Sequence, residues 1–255
     1  MDKKLACIKK AGEAVALILR TLKSKIKPGV SGKDLEKLAS QLMKEQGVQS
    51  SSLNYEVNKQ IFPSSICVSV NQELTHGIPT AKPFQSGDLV SIDVACHYQG
   101  YHADAALTTI AGKGDDQKNN LLMVTKNSLE HVIRNIQPNI TTTRDIGIML
   151  EKYIRNRHYY PIKEYGGHGI GEVLHQPPFI PNSRHYSGTP EVIRTGMFIC
   201  VEPLVQIGDD ETTKLIVPPS NWEVVVSKNG HLNAHFEHTL YITNQGVEII
   251  TNYEE

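Results

Sequence analysis

Asp93 interrupts an otherwise apolar, β-branched run, Leu89-Val90-Ser91-Ile92-Asp93-Val94-Ala95. A carboxylate buried in such a run needs a proton, a cation or a counter-charge. Asp104 follows eleven residues later, beyond Tyr98-Gln99-Gly100, where the chain can reverse. Val90, Ile92 and Val94 share one face of the strand, which leaves Ser91, Asp93 and Ala95 on the other. A reversal about Tyr98-Gln99 then sets Asp93 directly opposite Asp104, with Cβ atoms about 4.5–5.5 Å apart. Two carboxylates that close repel unless they share a proton or a cation. Two divalent ions about 3.5–4 Å apart suit such a couple. The plainer alternative is a pair of solvated aspartates flanking a turn, and the apolar company of Asp93 weighs against it.

Three further positions carry the same kind of signal. His168 sits in Glu164-Tyr165-Gly166-Gly167-His168-Gly169-Ile170-Gly171, with Leu174-His175 close behind. Its glycines allow close backbone approach, as in a loop that holds an imidazole rigidly. Glu202 lies in Phe198-Ile199-Cys200-Val201-Glu202-Pro203-Leu204-Val205, and Glu237 in Ala234-His235-Phe236-Glu237-His238-Thr239-Leu240. A glutamate amid strand residues of this kind is seldom unpaired, and a neighbouring Lys or Arg is the competing explanation for each. Together these positions offer four carboxylates and one imidazole. That hard, oxygen-rich set suits Mn²⁺, Fe²⁺, Co²⁺ or Zn²⁺ in a two-metal site better than a thiolate zinc site. No GxSxG elbow supports serine hydrolysis, and neither a P-loop nor a clean GxGxxG opening a helix is present.

The remaining residues must position this set. Ala6, Ala11, Ala14, Ile18 and Leu22 predict a helix from about Lys3 to Lys25, stopped by Lys27-Pro28-Gly29. Ser31 caps a second helix from Gly32 to about Glu45, with Leu35, Leu38 and Leu42 on one face. Strand patterns follow at Ile66–Val70 and Leu89–Ala95, then helices near Asn119–Ile136 and Thr143–Arg155. Further strands are expected at Met197–Val205, Trp222–Val226 and His238–Thr243. Helices, strands, helices, strands without strict βα alternation indicate an α+β architecture, expected as one catalytic domain over residues 1–255. The order also hints at two similar halves. A formal charge of -1, with 39% hydrophobic residues, gives no electrostatic reason to expect nucleic acid or an anionic membrane as partner. The apolar runs at Ala14–Leu19 and Phe198–Val201 are too short to span a bilayer. Lys9, Lys10 and Glu13 break any secretory h-region. Four scattered cysteines without CxxC spacing read as free thiols of a reducing compartment, with the cytoplasm as default.

The motifs, taken together, resemble those of the type I methionine aminopeptidases. His76-Gly77-Ile78-Pro79, the Asp93/Asp104 pair, Gly167-His168-Gly169-Ile170-Gly171, Val201-Glu202-Pro203 and Phe236-Glu237-His238-Thr239 stand in that family's order and spacing, from roughly Lys27 onward. The resemblance implies a pita-bread α+β fold: two pseudo-symmetric halves, antiparallel sheet covered by helices, and two divalent ions between them (Co, Mn, Fe or Zn). It implies that Asp104, His168 and Glu202 hold one ion and Asp93 the other, with Glu237 and Asp104 bridging. His76 and His175 correspond to the histidines that contact substrate, and Glu202 to the glutamate assigned to proton transfer. Phe62, Cys67, Leu174 and Trp222 correspond to the methionine pocket. There Leu174 replaces a phenylalanine, and Lys59 falls where an aromatic is typical. The implied substrates are N-terminal methionyl peptides and nascent proteins, with ribosome docking open and a monomer expected. The 33 residues between His168 and Glu202 leave no room for the large type II insertion. Little sequence precedes His76 for the extra domain of prolidases. Two rivals remain: a related aminopeptidase with altered N-terminal preference, and a binding protein of this fold that has lost its metals.

Overall fold

Helix α1 (Lys3–Lys25) buries Ile8, Ala11, Val15, Ile18, Leu19 and Leu22, a single stripe at three- and four-residue spacing, in the computed structural model, which describes residues 3–254. Helix α2 (Gly32–Gln46) begins with a reciprocal cap: Asp34 N–H donates to Ser31 Oγ at 3.2 Å, and Ser31 N–H donates to the Asp34 carboxylate at 2.9 Å. Gly47, left-handed at φ 67°, ends it. Then come β1 (Gln49–Ser50), a small hairpin of β2 (Glu56–Val57) and β3 (Gln60–Ile61), β4 (Cys67–Val70) and β5 (Glu73–Thr75). The long hairpin of β6 (Leu89–Tyr98) and β7 (Tyr101–Ile110) closes the first half. The second half repeats the plan with α3 (Asp116–Asn135) and α4 (Thr143–Arg155), followed by β8 (Tyr160–Pro161), β9 (Gly166–Gly169), β10 (Gln176–Pro181) and β11 (Phe198–Val201). It finishes with β12 (Leu204–Gln206), β13 (Thr212–Val217), β14 (Trp222–Ser227), β15 (Asn233–His235), β16 (His238–Thr243) and β17 (Gly246–Ile249).

The pseudo-symmetry is visible in the backbone. Thr142 and Asp145 cap α4 as Ser31 and Asp34 cap α2. Each cap residue also forms an isolated antiparallel bridge, Ser31 to Pro83 and Thr142 to Val192. A left-handed glycine follows each bridge, Gly87 at φ 92° and Gly196 at φ 91°, and Asp93 and Glu202 each lie six residues beyond. The two halves thus deliver one carboxylate each from equivalent places.

In the first half, β6 pairs antiparallel with β7 on one side and with β4 and β1 on the other. In the second, the antiparallel order is β10-β9-β11-β16-β17. The halves meet where Glu237 N–H donates to Ala106 O at 2.9 Å and Asp104 N–H to Thr239 Oγ1 at 2.9 Å. One apolar core runs through both, from Ala11 and Ile18 of α1 through Ile92, Leu150 and Ile199 to Leu240. No helix among the described residues is long and apolar enough to cross a membrane.

The structure differs from the sequence expectation at three places that matter for the site. The β6–β7 hairpin closes one residue later: Gln99 (φ 51°) and Gly100 (φ 80°) form the turn and Tyr98 pairs with Tyr101. A two-residue turn with both φ positive matches the twist of paired strands. Asp93 therefore faces Ala106, and Asp104 faces Ala95. Because the pairing moved by two positions, both aspartates keep the same face, as diagonal neighbours rather than opposites. Second, the Gly166–Gly169 segment is strand, not loop, hydrogen-bonded between β10 and β11. A Cβ on Gly167 would stand 2.0 Å from Cys200 O, and one on Gly169 2.2 Å from Pro177 O. Sheet packing, rather than turning, requires these glycines. Third, the run Met197–Val205 is two strands, broken where Glu202 and Pro203 leave the ladder.

Candidate metal centre

The face of β6 and β7 that bears Asp93 and Asp104 meets Glu237, placed by the turn between β15 and β16, and His168 of β9. Carboxylate oxygens of Asp93, Asp104 and Glu237 all lie within 4.8 Å of one another. A second group, of His168, Cys200 and Glu237, meets the same criterion, as does a third, of Asp104, His168 and His175. Asp104, Glu237 and His168 each belong to two of these groups, so the three groups overlap. Glu202 completes the ring, its Oε1 3.7 Å from His168 Nε2. The five side chains anticipated from the sequence are thus neighbours, with Asp104, His168 and Glu237 buried.

Without cations this is an unfavourable cluster. Burial raises the Asp93 carboxyl to about 6, against a hydrogen bond with Asp104 that lowers it. Burial and then repulsion from Asp93 push Asp104 well above the usual carboxylate range. Glu202 and Glu237 are raised well above it too, first by burial and then by the other carboxylates. Asp104 Oδ1 and Glu237 Oε1 are buried with no hydrogen-bond partner among the described residues. Orphaned acceptors at the centre of an acidic cluster fit hard divalent cations, which satisfy lone pairs and charge together. His168 Nδ1 donates to Gly169 O at 3.0 Å, so its Nε2 lone pair faces the carboxylates. Burial lowers this imidazole to about 4, which keeps it neutral and able to ligate. Cys200 reaches the same spot, but burial and then Glu237 raise its thiol well above normal, so it remains a protonated, poor ligand.

A cleft of about 460 Å³ opens above the cluster. Phe62, Cys67 and Trp222 form an apolar wall, with Phe62 and Trp222 ring centroids 5.0 Å apart. Leu174 lines the cleft from a separate cluster with Ile170 and Ala95. His76, at a left-handed φ of 61°, is lowered to about 4, first by burial and then by Lys214. Trp222 Nε1–H donates to His76 O at 3.1 Å, tying wall to histidine. The ring of His175 opens to the cleft, against Tyr55 and 4.4 Å from the His168 centroid.

Lys59 stands apart: it is exposed at the tip of the β2–β3 hairpin, with φ 65°. The aromatic at this edge of the cleft is Tyr55, which the sequence reading passed over. His235 was also missed. It is buried, and its unpartnered Nε2 is 3.8 Å from Glu202 Oε2 and 3.9 Å from Glu237 Oε2. Its short strand, Asn233–His235, is itself mostly polar, so the contrast that singled out Asp93 is missing there.

Residues 6–244 match the description metallopeptidase family M24. The chain belongs to metallopeptidase family M24. Among relatives of this M24 chain, the methionine aminopeptidase of Mycoplasma capricolum is 40% identical over 251 residues, covering 97% of this chain and 95% of that protein. Methionine aminopeptidase 1 of Bacillus subtilis is 38% identical over 252 residues, covering 98% and 96%. The crystal structure of the methionine aminopeptidase from Thermotoga maritima superposes with a TM-score of 0.90 at 37% identity, covering 98% of this chain and 97% of that one. The prolidase from Pyrococcus furiosus shares the fold alone, with a TM-score of 0.76 at 18% identity, and this chain covers 65% of it. An M24 metallopeptidase uses divalent metal, as the donor set here fits.

Proposed function

We propose that this chain removes the N-terminal initiator methionine from peptides and newly made proteins, using two divalent cations of the Co, Mn, Fe or Zn kind. One observation carries the reading: three overlapping groups of potential ligands, joined to one another through Asp104, His168 and Glu237, lie beneath an apolar wall of Phe62, Cys67 and Trp222. Asp93, Asp104, His168, Glu202 and Glu237 would hold the cations. When bound, these supply Lewis acidity at the scissile carbonyl and a more acidic attacking water. The cytoplasm, where initiator methionines arise, is the proposed compartment, in keeping with four unpaired buried cysteines.

The side chains do the rest. The aromatic wall receives the methionine side chain, whose thioether packs well against ring edges. Carboxylates at the cleft floor favour an unblocked α-amino group over an acylated one. His76 and His175, both held below the ordinary histidine value by desolvation, are neutral near pH 7 and offer N–H donors to the developing oxyanion. Glu202 takes the proton from the attacking water and returns it to the leaving nitrogen.

The test is turnover of Met-Ala-Ser, Leu-Ala-Ser, Met-Pro-Ser and N-acetyl-Met-Ala-Ser by metal-reconstituted protein. Free methionine released from Met-Ala-Ser and not from the acetylated peptide is the expected result. No release from any of them, or preferential cutting before proline, would overturn the proposal in favour of a binder or a prolidase-like enzyme.

A further inference from the structure

We propose that Tyr55 is a positioning residue that fixes His175 in the tautomer protonated on Nε2, making His175 a hydrogen-bond donor to substrate rather than a metal ligand. The ligating atom of His175 lies within 4.8 Å of those of Asp104 and His168, so proximity alone would admit His175 to the coordination sphere. The ring's hydrogen bonding argues otherwise. Tyr55 Oη is 2.6 Å from His175 Nδ1, with the two rings edge to face and their centroids 5.1 Å apart. With Nδ1 held, Nε2 is the nitrogen left for the cleft. A neutral imidazole carries one donor and one acceptor. The phenol keeps its proton at neutral pH, and burial raises its pKa further. It is hydrogen-bonded to no other side chain or backbone group among the described residues. Donating O–H to Nδ1 places the imidazole proton on Nε2, facing the carboxylates, where a lone pair would be repelled.

The opposite arrangement at His168 sharpens the contrast. There a carbonyl, able only to accept, holds Nδ1–H and leaves Nε2 bare for a cation. Two histidines 4.4 Å apart are thus assigned opposite tasks by their partners at Nδ1. The backbone anchors Tyr55 for this work. Its N–H donates to Ser52 O at 3.0 Å, and Phe62 N–H donates to its carbonyl at 2.9 Å, closing the root of the β2–β3 hairpin.

This inference rests on the proposed function only for what the donor is used for; the tautomer itself is independent of any activity. The test compares wild type, Tyr55→Phe and Phe62→Leu by long-range ¹H–¹⁵N correlation of the histidine rings in metal-free protein at pH 8, alongside kcat, KM and metal content. Wild-type His175 is expected with Nε2 protonated and Nδ1 bare. Tyr55→Phe should lose that fixed pattern and drop kcat roughly tenfold, with KM and metal content within about twofold. Phe62→Leu, at the same hairpin root but without the hydroxyl, should keep the pattern. A wild-type His175 protonated on Nδ1, or a Tyr55→Phe pattern identical to wild type, would overturn the inference. A changed tautomer in a protein that cleaves no methionyl peptide would support the positioning role while sinking the proposed function.

Discussion

Replacing Asp93 by Asn should stabilise the metal-free protein and destabilise the metal-loaded one relative to wild type. In the folded chain the Asp93 carboxyl is raised to about 6 by burial, against about 4 for an unfolded aspartate. At about 1.4 kcal/mol per unit, holding it ionised above pH 6 costs about 3 kcal/mol. A raised pKa means the folded chain binds this proton more tightly than the unfolded chain does. The penalty is therefore absent below about pH 4, grows from about 4 to 6, and is constant above. Asparagine carries no such penalty but forfeits part of the hydrogen bond with Asp104, worth about 1 kcal/mol. The net gain is about 2 kcal/mol at pH 7.5, or roughly 4–8 °C in Tm for a chain of this size. At pH 5 it should shrink to about half or less. With divalent cation present the order should invert, because only wild type offers every ligand and binding favours deprotonated ligands. Scanning calorimetry at pH 5.0 and 7.5, in chelator and in Mn²⁺ or Co²⁺, reads all four cases. An Asp93→Asn protein less stable than wild type in chelator at pH 7.5 would refute the reasoning, as would a gain independent of pH.

Gly167→Ala should lower the urea unfolding free energy by about 2–4 kcal/mol, since its Cβ would meet Cys200 O at 2.0 Å and force β9 off β11; an unchanged midpoint would mean the strands separate freely. Glu151→Gln should cost about 1–2 kcal/mol near pH 7, since buried Glu151 accepts from Arg184 Nε at 2.8 Å and from its N–H at 3.0 Å. Burial raises the Glu151 carboxyl, but these Arg184 contacts outweigh it and leave it lowered. Its contribution is thus present above the unfolded value and lost as pH falls through the folded one, so the gap between variant and wild type should narrow in acid. His76→Ala should cut kcat by roughly 10²–10³ with bound metal unchanged; parallel loss of metal would make His76 a ligand.

Much of the site was legible because its residues violate the patterns around them. A charge in Leu89–Ala95, or in Phe198–Val205, is conspicuous by residue type alone. A helix start was equally readable where capping chemistry is local, as at Ser31. What failed depended on geometry with no one-dimensional trace. The hairpin turn was placed one residue early because Tyr98-Gln99 and Gln99-Gly100 both suit a reversal, and only tertiary pairing decides between them. The glycines around His168 read as a loop, whereas they serve close contacts with backbone distant in sequence. Tyr55 escaped notice because the β2–β3 hairpin separates it from Phe62, so the aromatic was sought at Lys59. The second-half carboxylates joined the first-half pair only through the seam of Ala106 and Asp104 with Glu237 and Thr239, which periodicity does not encode.

The most direct measurement is cation stoichiometry, by isothermal titration with Mn²⁺ or Co²⁺ into chelator-stripped protein and into its Asp104→Ala variant. Two ions per chain in wild type, and loss of both high-affinity events in the variant, are expected if Asp104 stands between two cation positions. No binding to wild type, or an Asp104→Ala protein that still takes up two ions with unaltered affinity, would contradict the account.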